Sequence, residues 1–389
     1  MSFDLKRLVR KNIWDLQAYS SARSEFQLYG ETGSQDLTLL DANENPHDVE
    51  QQHLNRYPDP LQNDIKKLVA EEKGLSPENV FMGNGSDEAI DLLYRIFCEP
   101  GSDSVITCPP TYGMYEVSAA INDVKVVQIP LKADFNLDMD RLLENDAFKQ
   151  AKLLWICSPN NPSGNTLLKA DLPHDWAAVN YTQGGMMDMP FAPEFEQEMM
   201  DNERQMNRLF GSFEGIVVID EAYQDFTENM SFTRRLEDYP NLVVLQTMSK
   251  AHGLAGVRAG FAYASPQIIE LLNKTKPPYN VNTLTQTAVV SALNDKVKTA
   301  TQISDIKANR KMLSTVLESF NFVKEVYPSE ANFILARVID ANDLYEYLRD
   351  KGIIVRNRNS QINNCLRFTV GTDAECEALI KALKEYVQN

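Results

Sequence analysis

Short, nearly unbroken apolar runs recur through the first two thirds of the chain, each followed by small or polar residues. They stand at Val105–Thr107, Val124–Ile129, Leu153–Cys157, Ile216–Ile219, Leu242–Leu245 and Gly260–Tyr263. Runs of this length without polar alternation suit strands buried on both faces. Patterns of helical period lie between several of them, such as Asp87–Phe97. This alternation predicts an α/β fold with a mostly parallel central sheet. Ligands gather at the carboxyl ends of such strands, so the residues just after each run are the candidates for chemistry.

The C-terminal part reads differently. Helices are expected at Lys307–Phe320, Asn342–Lys351 and Asp373–Val387, with strands at Ala331–Arg337, Ile353–Arg356 and Leu366–Val370. That mixture predicts a smaller α+β domain. The Pro pair in Lys276-Pro277-Pro278-Tyr279 stops a helix and marks a boundary. The expected organisation is an N-terminal arm with part of the small domain over residues 1–46, a large domain over 47–276 and the small domain over 277–389. Between Asp171 and Gly211 the chain carries six methionines, a Gly-Gly pair, eight acidic residues and two arginines. It is expected to be a surface excursion between two strands, helical over about Pro193–Leu209, supplying no catalytic residue. A Met-rich partner-binding face is the weaker alternative.

Composition narrows the function. Of 389 residues, 43% are hydrophobic and the formal charge is −17. An acidic chain lacks the basic face that phosphate backbones or anionic membranes require. No apolar run approaches the roughly 18 residues of a membrane span. The start, MSFDLKRLVRKNIWDLQ, has no apolar core of a secretory signal, so a cytoplasmic location is expected. Five scattered cysteines without CxxC spacing suit reduced, buried thiols. No metal is expected: His47, Glu50 and His53 lack helical spacing, and His174 with Asp171 and Asp175 makes no closed ligand set.

Chemistry concentrates after the strands. Lys250 follows Leu242–Leu245 in TMSKAHG, where burial favours a neutral amine. Alone, such a lysine is more often a snorkelling surface residue. Asp220 closes GIVVIDEAY and needs a cation or several donors, unless it merely caps the turn with Glu221 exposed. Tyr223 follows three residues later. LLWICSPNNPSG ends in a turn that directs amides to the same edge. FMGNGSDEAI reads as strand, glycine turn and helix, with Ser86 as a natural N-cap whose helix offers N–H groups to an anion. It is neither a Walker A loop nor G-x-G-x-x-G, because Glu88 stands at the third glycine position. Ser249 and Arg258 would complete a cup for one monoester phosphate.

The set NGSDEAI, CPPTYGMY, SPNNPSG, VVIDEAY and SKAHGLAGVRAG resembles the fold-type I aminotransferases that use pyridoxal 5′-phosphate (PLP), in order and spacing. More narrowly, YSSARSE, LDANENP, NRYPDP, FCEPG and NRNSQINNCLRFTVGT resemble the histidinol-phosphate aminotransferases. The likeness covers nearly the whole chain outside about 171–211.

The resemblance implies the following roles. Lys250 carries the cofactor covalently and shuttles the substrate's Cα proton. Asp220 keeps the pyridine nitrogen protonated, Tyr223 and Asn161 hold the ring hydroxyl, and Tyr112 stacks on the ring. Gly85, Ser86 and Asp87 bind the cofactor phosphate through backbone N–H groups, with Ser249 and Arg258. Tyr57 reaches the neighbouring subunit's cofactor phosphate, making the active unit a homodimer. Arg356, Arg367, Tyr19 and Asn332 select the substrate, and Glu44 recognises the imidazole. The implied reaction exchanges the amino group of L-histidinol phosphate with 2-oxoglutarate. A threonine-phosphate decarboxylase or an aromatic-amino-acid aminotransferase of the same fold is the alternative, and a non-catalytic PLP-binding sensor is a more distant one. His252 departs from the family's usual aromatic, and the Met-rich segment replaces a short helix and turn.

Overall fold

The computed structural model describes residues 3–19, 38, 40–48, 54–170 and 193–386. Seven strands form one sheet: β1 (Val80–Asn84), β2 (Ser104–Thr107), β3 (Lys125–Gln128), β4 (Leu153–Cys157), β5 (Ile216–Asp220), β6 (Leu242–Thr247) and β7 (Ala259–Ala264). Their spatial order is β1-β7-β6-β5-β4-β2-β3. Strands β3, β2, β4, β5 and β6 pair in parallel, while β7 runs antiparallel to both β6 and β1. The reversal has a local cause. Between β6 and β7 the chain makes turns and one 3-10 turn, Ala255–Val257, but no α-helix. A parallel return needs a crossover, usually a helix.

The apolar runs are continuous because each strand feeds two cores. Leu153 and Trp155 of β4 face one hydrophobic layer with Val105, Val218 and Leu245. Leu154 and Ile156 face the other, with Ile106, Val217 and Val244. Sequence order reverses between β2 and β4, so the residues after these strands flank the crevice where open α/β sheets bind ligands.

The excursion is partly a correction. Residues 171–192, with Met186, Met187 and Met189, lie outside the described residues. Pro193–Ser212 is one helix, and it is no surface appendage at its C-terminal end. Met206, Leu209, Phe210 and Phe213 are buried in the core beneath β4 and β5. Arg235, its side chain 3% exposed, donates from both terminal nitrogens to Glu203 at 3.0 and 3.1 Å. This helix therefore serves the β4-to-β5 crossover. The acidic, Met-rich composition of its sequence masks an apolar stripe at helical spacing.

A second sheet, β8 (Val323–Val326), β9 (Phe333–Val338), β10 (Arg356–Asn357) and β11 (Cys365–Thr369), is antiparallel in the order β10-β11-β9-β8. Helices Lys296–Glu318, Ala341–Asp350 and Asp373–Tyr386 cover it around a separate core. The N-terminal stretch was expected to contribute to this smaller unit. Instead Phe3, Leu5, Leu8, Val9 and Ile13 pack on the large sheet's core, and Arg10 N–H donates to Ile96 O at 2.9 Å. The five cysteines are free and buried. Among the described residues no helix is long and apolar enough to cross a membrane.

Met206 is fully buried and Met200 half exposed on the same helix. Met206→Ala is expected to lower unfolding stability by about 2–5 kcal/mol, the cost of a core cavity. Met200→Ala should change it by less than about 0.5 kcal/mol. Denaturant midpoints of the two variants check this, and equal effects would contradict the crossover assignment.

Candidate active site

The site is built around a buried carboxylate. Asp220 ends β5 with every residue of the strand buried, itself 2% exposed. Burial pushes its pKa up to about 6, and hydrogen bonds from Tyr115 and the Ala222 N–H pull in the opposite direction. Tyr115 was missed by sequence reasoning. It lies within CPPTYGMY, but its role depends on a stack that no motif shows. Its ring stacks on Trp155 at 4.8 Å, and Trp155 stacks on Tyr94 at 5.5 Å. Tyr94 OH donates to Tyr115 O at 2.8 Å. The stack fixes the Tyr115 hydroxyl, which donates to Asp220 Oδ2 at 2.6 Å.

Glu221 is a second correction. An exposed position was allowed for it, yet it is 2% exposed. It turns away from Asp220, as alternate residues of a strand do, and accepts from Ser231 Oγ, the Phe232 N–H and Gln246 Nε2 at 2.6, 2.6 and 2.8 Å. Burial raises its pKa to about 7 despite these donors.

Lys250 lies beyond β6, with its Nζ 5.6 Å from the centre of the Tyr223 ring. Burial first, then the Arg367 charge, lowers its pKa. Tyr223 is buried, meets Phe333 edge-on at 5.1 Å, and its hydroxyl accepts from Asn161 Nδ2 at 3.4 Å. Asn160, the neighbour of Asn161, is spent on structure: it binds Pro110 O and Ser163 Oγ.

The phosphate cup has a definite geometry. Gly85, not Ser86, is the N-cap of helix Ser86–Phe97, with φ +71°. A side chain at Gly85 would come 2.6 Å from Arg258 Nη2. Only glycine lets the guanidinium stand beside this helix N-terminus. On β7, a Cβ at Gly260 would lie 2.2 Å from the Ser86 nitrogen, so that glycine lets the loop close over the strand. Arg258 donates to Ser249 Oγ at 3.4 Å and to Asp87 Oδ2 at 3.1 Å. Tyr112 OH donates to Asp87 Oδ1 at 3.0 Å. An arginine, a serine hydroxyl and free helix N–H groups fit a phosphate monoester. The buried acceptor Asp220 fits a protonated ring nitrogen.

From the second sheet, Arg367 on β11 donates to Asn161 Oδ1 at 2.6 Å, its guanidinium 4.9 Å over the Phe333 ring. Arg358, which sequence reasoning did not single out, also reaches Asn161 Oδ1, at 3.4 Å. Arg356 stands opposite Arg367 in register but is exposed. Asn332 flanks β9, accepting from the Val370 N–H. The remaining expected residues lie elsewhere on this chain. Tyr19 is 72% exposed. Tyr57 is half exposed and stacks on Tyr279 at 4.4 Å. The Glu44 carboxylate accepts from Arg56 Nη1 at 2.8 Å and the Tyr57 N–H at 2.6 Å, bonds that anchor this loop. His252 lies beyond Lys250 with a buried Nδ1 that has no hydrogen-bond partner among the described residues.

The raised pKa of Glu221 has a stability consequence. A carboxyl whose folded pKa exceeds its unfolded one stabilises the fold at low pH and loses that contribution as pH rises through the folded value. Glu221→Gln should therefore gain thermal stability relative to the parent protein as pH rises from about 4.5 to 7. Melting temperatures across that range check the sign. A constant or shrinking difference would mean that Glu221 does not titrate there.

The model of the family "Aminotransferase class I and II" matches residues 30–174 and 203–383 of the chain. Histidinol-phosphate aminotransferases of Christiangramia forsetii and Parabacteroides distasonis are 44% and 45% identical to it over 385 and 383 residues, covering 98% of each chain. The crystal structure of the histidinol-phosphate aminotransferase of Sinorhizobium meliloti in complex with pyridoxal-5′-phosphate superposes with a TM-score of 0.70 at 23% identity, covering 86% of this chain and 84% of that one. The chain therefore belongs to the class I and II aminotransferases, and within them to the family of these histidinol-phosphate aminotransferase relatives.

Proposed function

We propose that the protein transfers the amino group of L-histidinol phosphate to 2-oxoglutarate, giving 3-(imidazol-4-yl)-2-oxopropyl phosphate and L-glutamate, with PLP as cofactor. The carrying observation is one convergence. Asn161 bonds Tyr223 from the large sheet's rim and Arg367 and Arg358 from the smaller unit, while Lys250 lies over the Tyr223 ring within electrostatic reach of Asp220. The relatives at 44–45% identity support the substrate.

The residues divide the work. PLP, when bound, supplies an electrophilic carbon for the amine and a sink for the electron pair left by the departing proton. Lys250, its ammonium destabilised by burial, is available as a neutral amine to take that proton from Cα and return it on the far side of the transfer. Asp220 holds a proton on the ring nitrogen, and Tyr115 keeps Asp220 oriented. Tyr223 and Asn161 hold the ring hydroxyl, and Tyr112 covers the ring face. The N–H groups at Gly85, Ser86 and Asp87, with Ser249 and Arg258, bind the cofactor phosphate. Arg367 grips the substrate anion bidentately, with Arg356 at the exposed rim and Asn332 beside it.

The two sheets belong to a large body, about 47–276, and a small one, about 277–389, whose apposition makes the cleft. Tyr57, braced by Tyr279 and by Glu44 below it, is the residue offered to a second subunit's phosphate cup, so the active unit is a homodimer.

The test is the visible spectrum of the holoenzyme, followed as L-histidinol phosphate is added without acceptor and 2-oxoglutarate afterwards. The bound-cofactor band is expected to disappear with the donor and return with the acceptor. Carbon dioxide release without an acceptor would instead make the protein a decarboxylase of phosphorylated amines. Lys250→Ala should abolish turnover and the band's covalent signature. Asp220→Ala should keep the cofactor but lose roughly 100-fold or more in kcat, the size of a lost proton-transfer arrangement. A turning-over Lys250→Ala variant would remove the site assignment.

A further inference from the structure

Arg358 is unusual among the cations of this chain. Its Nη1 donates to Gln361 Oε1 at 3.2 Å and its Nη2 to Asn161 Oδ1 at 3.4 Å. Both acceptors are neutral amides. Among the described residues its buried Nε has no hydrogen-bond partner, and neither has the Nε of Arg367. The charges acting on Arg358 are those of Arg367 and Arg356, which repel it, and the Tyr223 phenol. Burial and this repulsion lower its pKa to about 10. Two guanidinium groups thus converge on a single amide oxygen, each with its buried Nε unused, and among the described residues no carboxylate forms an ion pair with either.

The two substrates differ in what they bring to that point. In glutamate the carboxylate is bonded directly to the reacting carbon and carries one charge. In L-histidinol phosphate a CH2–O link carries the anion two bonds farther out, with up to two charges and three acceptor oxygens. One bidentate arginine suffices for a carboxylate. A phosphate dianion placed farther out has oxygens left for a second fork. β10 and β11 put Arg356 and Arg367 opposite each other, and Arg358 follows immediately after β10.

We propose that Arg358 is a direct ligand of the donor's phosphate and sets the preference for phosphorylated over unphosphorylated amines, with Asn161 Oδ1 marking where the two guanidinium groups converge. The inference rests on the function proposed above and assigns one of its specificities to a residue.

The backbone of Arg358 keeps its own bonds to Cys365, Gln361 and Ile362, so a side-chain change leaves the loop its main-chain ties. Steady-state kinetics of the holoenzyme with L-histidinol phosphate, L-histidinol and 2-oxoglutarate provide the test. Arg358→Gln is expected to raise KM for L-histidinol phosphate about 10- to 100-fold, the scale of one charge-assisted hydrogen-bonded contact. The preference over L-histidinol should collapse by the same factor, with KM for 2-oxoglutarate changed by less than about threefold. Arg358→Lys keeps the charge without the fork, and should show the same split to a smaller degree where the Gln variant folds poorly. Equal losses with L-histidinol and L-histidinol phosphate, or no loss with either, would overturn the assignment while leaving the function intact. An unmutated enzyme that does not convert L-histidinol phosphate would remove the function and this inference together.

Discussion

The structure turns on the burial of one carboxylate. Asp220 sits at the end of a strand with hydrophobic layers on both faces, and desolvation drives its pKa upward. Holding it there requires donors in fixed places. Tyr115 is one of them, and its position is set by a stack of Tyr115, Trp155 and Tyr94 inside the hydrophobic layer. Packing of the core therefore aims a hydroxyl at the site. The chemistry at the sheet's edge is no more precise than the aromatic packing behind it.

The large sheet supplies a rigid rim for the same reason. Strands buried on both faces leave side chains free for polar work only at their ends. Asn161 follows β4, Asp220 and Tyr223 follow β5, and Lys250 follows β6. Their spacing in space is that of adjacent parallel strands. The helix Ser86–Phe97 brings its N-terminus to the same rim because Gly85 and Gly260 permit a contact that any side chain would block.

The small sheet contributes charge of one sign. Arg367 and Arg358 enter the cleft and find Asn161, a neutral group of the opposite sheet. Unpaired guanidinium groups that are half buried are costly unless an anion joins them. This is a binding site prepared at the expense of electrostatic comfort, and the Arg367 charge adds to burial, the larger cause, in loosening the proton on Lys250.

Much of this was legible in the sequence. Unbroken apolar runs fixed the buried strands, because a residue facing a core on either side has no use for polarity. The residues after Leu153–Cys157, Ile216–Ile219 and Leu242–Leu245 stood out for the complementary reason. Other features were decided only by tertiary structure. Nothing local distinguishes Tyr115, buried and bonded to Asp220, from Tyr112, bonded to Asp87 at the cup. Nor does the alternation Arg356, Asn357, Arg358 say which arginine is exposed and which points at Asn161. The apolar stripe of Met206, Leu209 and Phe210 was hidden by acidic neighbours, and the bond from Arg56 to Glu44, twelve residues away, follows no local pattern. Periodicity reports whether a position faces a core. Which partner it finds depends on contacts between segments far apart in the chain, and those are set only when the sheets pack.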